Sequence, residues 1–360
     1  MDLFSGIGGF RLGFERASES LAKLDNKHPG IACVFTNEWD KFARKNHEAN
    51  FGSKDPKPVD ARDIFTIQSS DIPSHDILLG GFPCQPFSIA GVSKKKSMGR
   101  PHGFACKSQG TLFGEIVRIL EHHRPKAFLL ENVKNLLGHD RGRTMESIRE
   151  ALGETGLGYK IFVEVLDGGW LVPQHRERVF IAGFKSHKHA REFDWGQEEL
   201  ETKTKPVLSK ILHETAGPAS IDGGLYTDNS GRPLPKYTLN DKLWNYLEAY
   251  AAKHRAKGNG FGRGLFRPDQ AARTLPARYY KDGADILIEQ EPKNKPKGCQ
   301  TNPRRLTPRE CARLMGFPET YKIAVSDAQA YRLFGNSVVV KLISHIATRF
   351  FAAMDPASGN

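Results

Sequence analysis

The sequence predicts an α/β protein: a mainly parallel sheet covered on both faces by helices, joined to a smaller irregular domain. Three observations predict it. From the start to about residue 185, short apolar runs alternate with helix-periodic segments, the pattern of parallel strands joined by crossover helices. Residues 186–303 lose that alternation and become rich in Lys, Arg, Gly and Pro, a composition of loops and short strands. Helical periodicity then returns at 307–318 and again from about 337 to 351. The chain divides accordingly into 1–185, 186–303, a return segment 304–324, and 325–360, which completes the first domain.

The elements follow in order. Leu3–Phe4 is the first strand, running into the glycine turn of DLFSGIGGF (2–10) and a helix that starts at FRLGFERA. IACVF (31–35) is the second strand and WDKFARKNHEANF its helix; DILLG (76–80) is the third strand. In TLFGEIVRILEHH (111–123), Leu112, Phe113, Ile116, Val117 and Leu120 recur at helical spacing and form one apolar face. AFLLE (127–131), the helix TMESIREALGET, and the strands YKIFVEV (159–165) and RVFIAGF (178–184) complete the alternating part. Beyond it, GNGFGRG (258–264), ARYYKDGADILIE (277–289) and EPKNKPKG (291–298) have the texture of loops and short strands. TPRECARLMGFP (307–318) carries its own start signal, with Thr307 as N-cap, Pro308 in the first turn and Glu310 completing a capping box. The last helix buries Val339, Leu342, Ile343, Ile346 and Phe350 on one stripe.

The totals bound the function. With 360 residues, 39% apolar and 26% charged, the chain has the composition of a soluble globular protein. No run of about 18 apolar residues predicts a membrane span, and the first residues lack a secretory pattern. Five cysteines, at 33, 84, 106, 299 and 311, are odd in number and unpaired by CxxC spacing. That spacing predicts reduced thiols and no metal site. A net charge of +12 favours a polyanionic partner, nucleic acid being the commonest; the bland alternative is a merely basic protein.

Reactive residue types cluster at strand ends, where α/β enzymes place their chemistry. Gly6, Gly8 and Gly9 open a helix N-terminus and let backbone approach a ligand, although Arg11 stands where a dinucleotide fingerprint has glycine. After the second strand, TNEWD offers Glu38 to accept two ribose hydroxyls and Trp39 to cover a purine face. In GGFPCQPFS (80–88), Cys84 lies between Pro83 and Pro86, which restrict the backbone and would aim a thiol. A basic loop, SKKKSMGRPHG (93–103), follows. Glu131 ends a strand after four apolar residues, where desolvation raises a carboxyl pKa and suits it to donate a proton. In QHRER (174–178), Arg176 and Arg178 fall on one side of a strand, ready for anionic or carbonyl oxygens. Each has a structural alternative: a tight turn, core packing for Trp39, an inert buried thiol, a cap or an ion pair.

Taken in order, these stretches resemble the DNA cytosine-5 methyltransferase family over nearly the whole chain. DLFSGIGGF is similar to its S-adenosylmethionine loop, NEWD to its ribose-and-adenine motif, and GGFPCQPFS to its catalytic motif. GTLFGEI (110–116) is similar to a further cofactor motif, ENV (131–133) and QHRERVFIAGF to the base-binding motifs, and RLTPRECARLMGFP and FGNSVVV (334–340) to the closing pair. The resemblance implies a Rossmann-like methyltransferase fold, with 1–185 catalytic and cofactor-binding and 186–303 reading the DNA target. It implies Cys84 as nucleophile, Glu131 as the acid at the cytosine ring nitrogen, Arg178 on the base carbonyl and Arg176 beside it. Phe4, Gly6, Gly8, Glu38, Trp39, Asp63, Phe82, Leu112, Asn336 and Val338 would then hold S-adenosyl-L-methionine. Lys94, Lys95, Arg100, Arg263, Arg273, Arg278 and Lys281 would contact DNA, and the base would be flipped from the duplex.

GNGFGRG with TLPARYYKDGADILIE resembles, within that family, bacterial enzymes that modify the inner cytosine of CCWGG and related sites. The expected setting is a monomer on double-stranded DNA in a bacterial cytoplasm, with a cognate restriction endonuclease as a further partner. Three rival readings stand beside it: an RNA cytosine-5 methyltransferase, a catalytically impaired DNA-binding relative, and, more remote, a nicotinamide oxidoreductase. The family has more residues before its first strand than this chain, where only Met1 and Asp2 precede Leu3. Either a short first strand or a true start lying further upstream is therefore expected.

Overall fold

The computed structural model describes residues 1–24, 30–55, 57–83, 111–217, 219–258, 263–290 and 302–354. A six-stranded sheet forms its centre, made of β1 (Asp2–Leu3), β2 (Thr36–Asn37), β3 (Ile77–Gly81), β4 (Ala127–Val133), β5 (Lys160–Asp167) and β6 (Glu177–Phe184), in the order β2-β1-β3-β4-β6-β5. β1 to β4 are mutually parallel, and β6 runs antiparallel to both of its neighbours. The fold class read from the sequence is therefore the one found.

Side-chain alternation sends successive strand residues to opposite faces. Leu79, Leu129, Phe180 and Ala182 join one core, while Leu78, Phe128, Leu130 and Ile181 join the other. Helices α1 (Gly9–Leu24) and α8 (Val340–Met354) cover the first face, with Phe14 set edge-on to Phe350 at 5.9 Å. Gly13 makes that contact close, since a Cβ there would lie 2.5 Å from Ile343 Cγ2. On the second face lie α3 (Leu112–His123), capped by Thr111, and α4 (Arg143–Leu152), which bury Ile116, Leu120 and Ile148. The connections α2 (Lys41–Phe51), α6 (Pro308–Leu314) and α7 (Asp327–Asn336) complete this part. The capping box at Thr307 and Glu310 is present as expected.

Several boundaries differ from the sequence reading, and two helices were not expected. The first strand is Asp2–Leu3, because Phe4 already has a left-handed backbone, φ 54°, that starts the glycine turn. The second strand pairs at Thr36–Asn37, beyond the apolar run 31–35, because its register is set by that short neighbour: Asp2 opposite Thr36 and Leu3 opposite Asn37. The last helix begins at Val340, and α7 lies where no helix was expected. Within 186–303, helix α5 (Asp241–Ala256) was also not foreseen; it has Asn240 as its cap but only a weak apolar stripe of Leu247 and Ala251. Around it β7 (Leu265–Phe266), β8 (Leu287–Ile288) and β9 (Arg304–Arg305) form a small second sheet. The span Asp327–Met354 is long and apolar enough to cross a membrane, yet half of its apolar stretch is buried inside the fold.

Candidate active site

The carboxyl ends of β1 to β4 open into a cavity of about 630 Å3, a size ordinary for a small-molecule ligand. The glycine turn forms its first wall. Gly6 has φ +54°, a conformation that favours glycine, and a Cβ on it would meet no protein atom within 4 Å. Its N–H donates to Glu38 Oε2 at 2.8 Å, while Asp40 N–H donates to Glu38 Oε1 at 2.8 Å. Each carboxylate oxygen therefore keeps a lone pair, enough to accept a pair of hydroxyls. Burial pushes this carboxyl above its usual range, opposed by those two N–H bonds. Trp39, 74% exposed, stands on the rim.

Of the ten residues the sequence assigns to a cofactor, nine line this cavity: Phe4, Gly6, Glu38, Trp39, Asp63, Phe82, Leu112, Asn336 and Val338. Gly8 does not. A Cβ on Gly8 would lie 2.4 Å from Phe51 Cε2 and 3.2 Å from His47 Cδ2, so its role is to let α2 pack beneath the turn. Arg11 is equally structural, paired with Glu15 and Asp55 at 2.6 Å each. Under the turn, Asp2 is 1% exposed and neither carboxylate oxygen has a partner among the described residues; burial pushes it up to about 7.

The opposite wall carries a carboxyl group beside two guanidinium groups. Glu131 sits on β4 beside Gly81 of β3, and Arg178 lies opposite Val133 on β6. Arg178 Nε is 3.0 Å from Glu131 Oε1. Burial raises the Glu131 carboxyl above the usual carboxylate value, against the pull of Arg178 and Arg176, so the position is suited to hold a proton. Asn132, next in the chain, donates to the Phe82 carbonyl at 2.9 Å and fixes the end of β3. The described chain reaches the cavity wall at Pro83, the residue before Cys84. Cys84, Lys94, Lys95 and Arg100 lie outside the described residues.

Arg176 and Arg178 play different parts. Arg176 is 2% exposed, and its guanidinium donates to the carbonyls of Leu275 (3.0 Å), Gly335 (2.9 Å) and Ser337 (2.6 Å). It ties β6 to the irregular region and to the end of α7, and burial lowers its pKa. Among the expected DNA contacts, Arg263 pairs with Glu248 and lies over the Trp244 ring at 4.9 Å. Arg273 is exposed and set 5.9 Å over Phe266, Arg278 pairs with Asp285 at 2.8 Å, and Lys281 is exposed. None of these four lines the cavity. Residues that sequence reading passed over do line it, Phe65, Asn132 and Arg332 among them. Asn132 stood in the quoted ENV; Arg332 is nearly 300 residues from its partner Asp40, 2.9 Å away, and no local pattern announces it.

A family profile described as C-5 cytosine-specific DNA methylase matches residues 1–352. The DNA-cytosine methyltransferase of Escherichia coli is 42% identical over 389 residues, covering 96% of this chain and 76% of that protein. A type II methyltransferase of Neisseria lactamica, M.NlaX, is 44% identical over 360 residues, 99% of this chain and 97% of its own. The Entamoeba histolytica methyltransferase EhMeth superposes with a TM-score of 0.65 at 19% identity, covering 98% of each chain, a likeness of fold.

Proposed function

Because the chain belongs to the C-5 cytosine-specific DNA methylase family, we propose that it methylates carbon-5 of a cytosine flipped from a short duplex site, using S-adenosyl-L-methionine and covalent attack by Cys84. One observation supports this most: a single cavity joins the Gly6–Glu38 wall to the Glu131–Arg178 pair. The residues fit the cofactor. Glu38 has acceptor capacity for a ribose diol, Trp39 and Phe65 flank the rim, and Phe4, Phe82 and Val338 supply apolar wall. When bound, S-adenosylmethionine supplies an electrophilic methyl group.

The chain's own groups make carbon-5 reactive. Cys84 adds as thiolate to carbon-6, and Glu131 donates its proton to the ring nitrogen, leaving an enamine that is electron-rich at carbon-5. Arg178 holds Glu131 through Oε1 and offers further donors to the base carbonyl. Once carbon-5 carries the methyl group, its proton passes to water, the ring-nitrogen proton returns to Glu131, and Cys84 leaves carbon-6 as thiolate. Arg176 positions this wall through its three carbonyl bonds. Residues 186–303 read the target, a CC/GG-containing site of the CCWGG kind. The setting is bacterial cytoplasmic DNA, the protein acts as a monomer, and a cognate restriction endonuclease is a natural companion, since M.NlaX is a type II methyltransferase.

Base-resolution mapping of methylcytosine in host DNA lacking other methylases tests the reading. One short motif methylated throughout is expected with the native chain, and none with Cys84→Ser. Methylation that persists in the serine variant would overturn the covalent mechanism.

A further inference from the structure

Helix α5 carries an aromatic ridge on the outside of the irregular region. Its inner side buries Leu247 and Ala251, whereas Tyr246 and Tyr250, one turn apart, are 60% and 40% exposed. Their rings stack at 6.1 Å with planes 26° apart, and Tyr250 continues to His254 at 4.3 Å. Aromatic side chains laid side by side in water need a reason, because such area is ordinarily buried. The surroundings supply one. Lys242, Lys253, Arg255 and Lys257 are exposed on or just beyond the same helix, while the nearby acids Glu248 and Asp285 are engaged by Arg263 and Arg278.

The helix that carries the ridge is also tied by packing to a segment at the cavity wall. Leu247 of α5 shares an apolar cluster with Ala284 and Leu287, the neighbouring Asp285 pairs with Arg278 at 2.8 Å, and Tyr280 and Lys281 next to Arg278 in the chain are exposed. The turn that carries them packs on the end of α7: a Cβ on Gly335, which lines the cavity, would lie 2.5 Å from the Pro276 carbonyl carbon. From Tyr246 to His254 the helix advances about 12 Å, the rise of three to four base pairs along a duplex.

We propose that the Tyr246–Tyr250–His254 ridge, with Arg278 and Lys281 beside it, grips the phosphate backbone of duplex DNA flanking the methylated site. The inference rests on the DNA-methylation reading and assigns a surface beyond the catalytic cavity. Tyrosine hydroxyls donate to phosphate oxygens, and such contacts set register without reading sequence. The cations add the salt-dependent part of the affinity.

The test compares two fluorescent duplexes bearing the mapped target, one ending at the site and one extending a helical turn beyond it on each side. The native chain is expected to prefer the longer. Tyr246→Phe with Tyr250→Phe keeps the rings and removes only the hydroxyls, so affinity for the longer duplex should fall about threefold to tenfold and the long-to-short ratio should narrow with it. An unchanged ratio, or an equal loss on both duplexes, would overturn the ridge while normal methylation by the native chain left the enzymatic reading standing. Failure of the native chain to methylate either duplex would overturn both.

Discussion

Replacing Gly8 by alanine separates two explanations of the glycine turn. The position has φ +80°, and a Cβ there would lie 2.4 Å from Phe51 Cε2 and 2.9 Å from Phe51 Cζ. Holding an L-residue left-handed costs roughly 1–2 kcal/mol, and forcing an extra carbon into a packed ring costs about 1–3 kcal/mol. Gly8→Ala should therefore lose about 2–5 kcal/mol, a large part of a domain stability of order 5–15 kcal/mol. Gly6→Ala is the matched control. It has φ +54° but open space around its Cβ, so only the backbone cost of roughly 1–2 kcal/mol applies, while the methyl enters the cavity. Urea unfolding followed by circular dichroism measures the first quantity, and titration calorimetry with S-adenosylmethionine the second. Gly8→Ala should be the less stable protein and Gly6→Ala the weaker binder. A Gly8→Ala protein within about 0.5 kcal/mol of native stability that had lost cofactor affinity would refute the packing argument and restore Gly8 to the ligand contacts.

Glu131→Gln keeps the shape of the β4 end but removes the proposed proton donor, and kcat should fall about 10²–10⁴-fold with DNA binding retained. Burial holds the Glu131 carboxyl above the usual carboxylate range. In the proposed mechanism the protonated form is the active one, so native kcat should decline as pH rises through that folded value, and the Gln variant should lose this limb. Asp2 titrates at about 7 in the fold against 3.8 when unfolded. The unfolded chain releases that proton more readily, so the residue costs nothing below pH 3.8 and destabilises progressively up to about pH 7. Asp2→Asn should gain up to about 4 kcal/mol at pH 8 and nothing near pH 3.5, as urea unfolding at several pH values would record. Arg176→Met strips three carbonyls, two of them fully buried, of their donor. Relief of the guanidinium's desolvation offsets part of that loss, leaving a net cost of about 3–5 kcal/mol, readable by urea unfolding; a smaller change would show that the three bonds add little.

Much of the sheet and most of the cavity wall were legible in the sequence because their signals are local. Apolar runs of four to seven residues mark β3 to β6, and Thr307 with Glu310 announces α6 by a hydrogen-bond pattern contained in four residues. Glu131 sits directly after its apolar run, while Arg176 and Arg178 lie at the start of theirs, so strand ends alone led to all three. Helix α5 escaped notice because its apolar stripe is thin and its stability comes from contacts outside its own periodicity. The short β1 and β2 were placed approximately and shifted by one to several residues, since parallel register depends on a partner strand far away in the chain.

The sequence by itself determined the fold class, the order of the strands' chemistry and the residue types that converge on the cavity. The tertiary structure alone decided what each does there. Two glycines of one turn look equivalent in DLFSGIGGF, yet Gly6 faces open space and Gly8 faces Phe51. Two arginines two residues apart look equivalent in QHRER, yet Arg178 meets Glu131 while Arg176 is buried against carbonyls from Leu275, Gly335 and Ser337. The physical reason is the same in both cases: a side chain's role depends on what distant segments bring to it, and those partners, 40 to 160 residues away, leave no trace in local spacing.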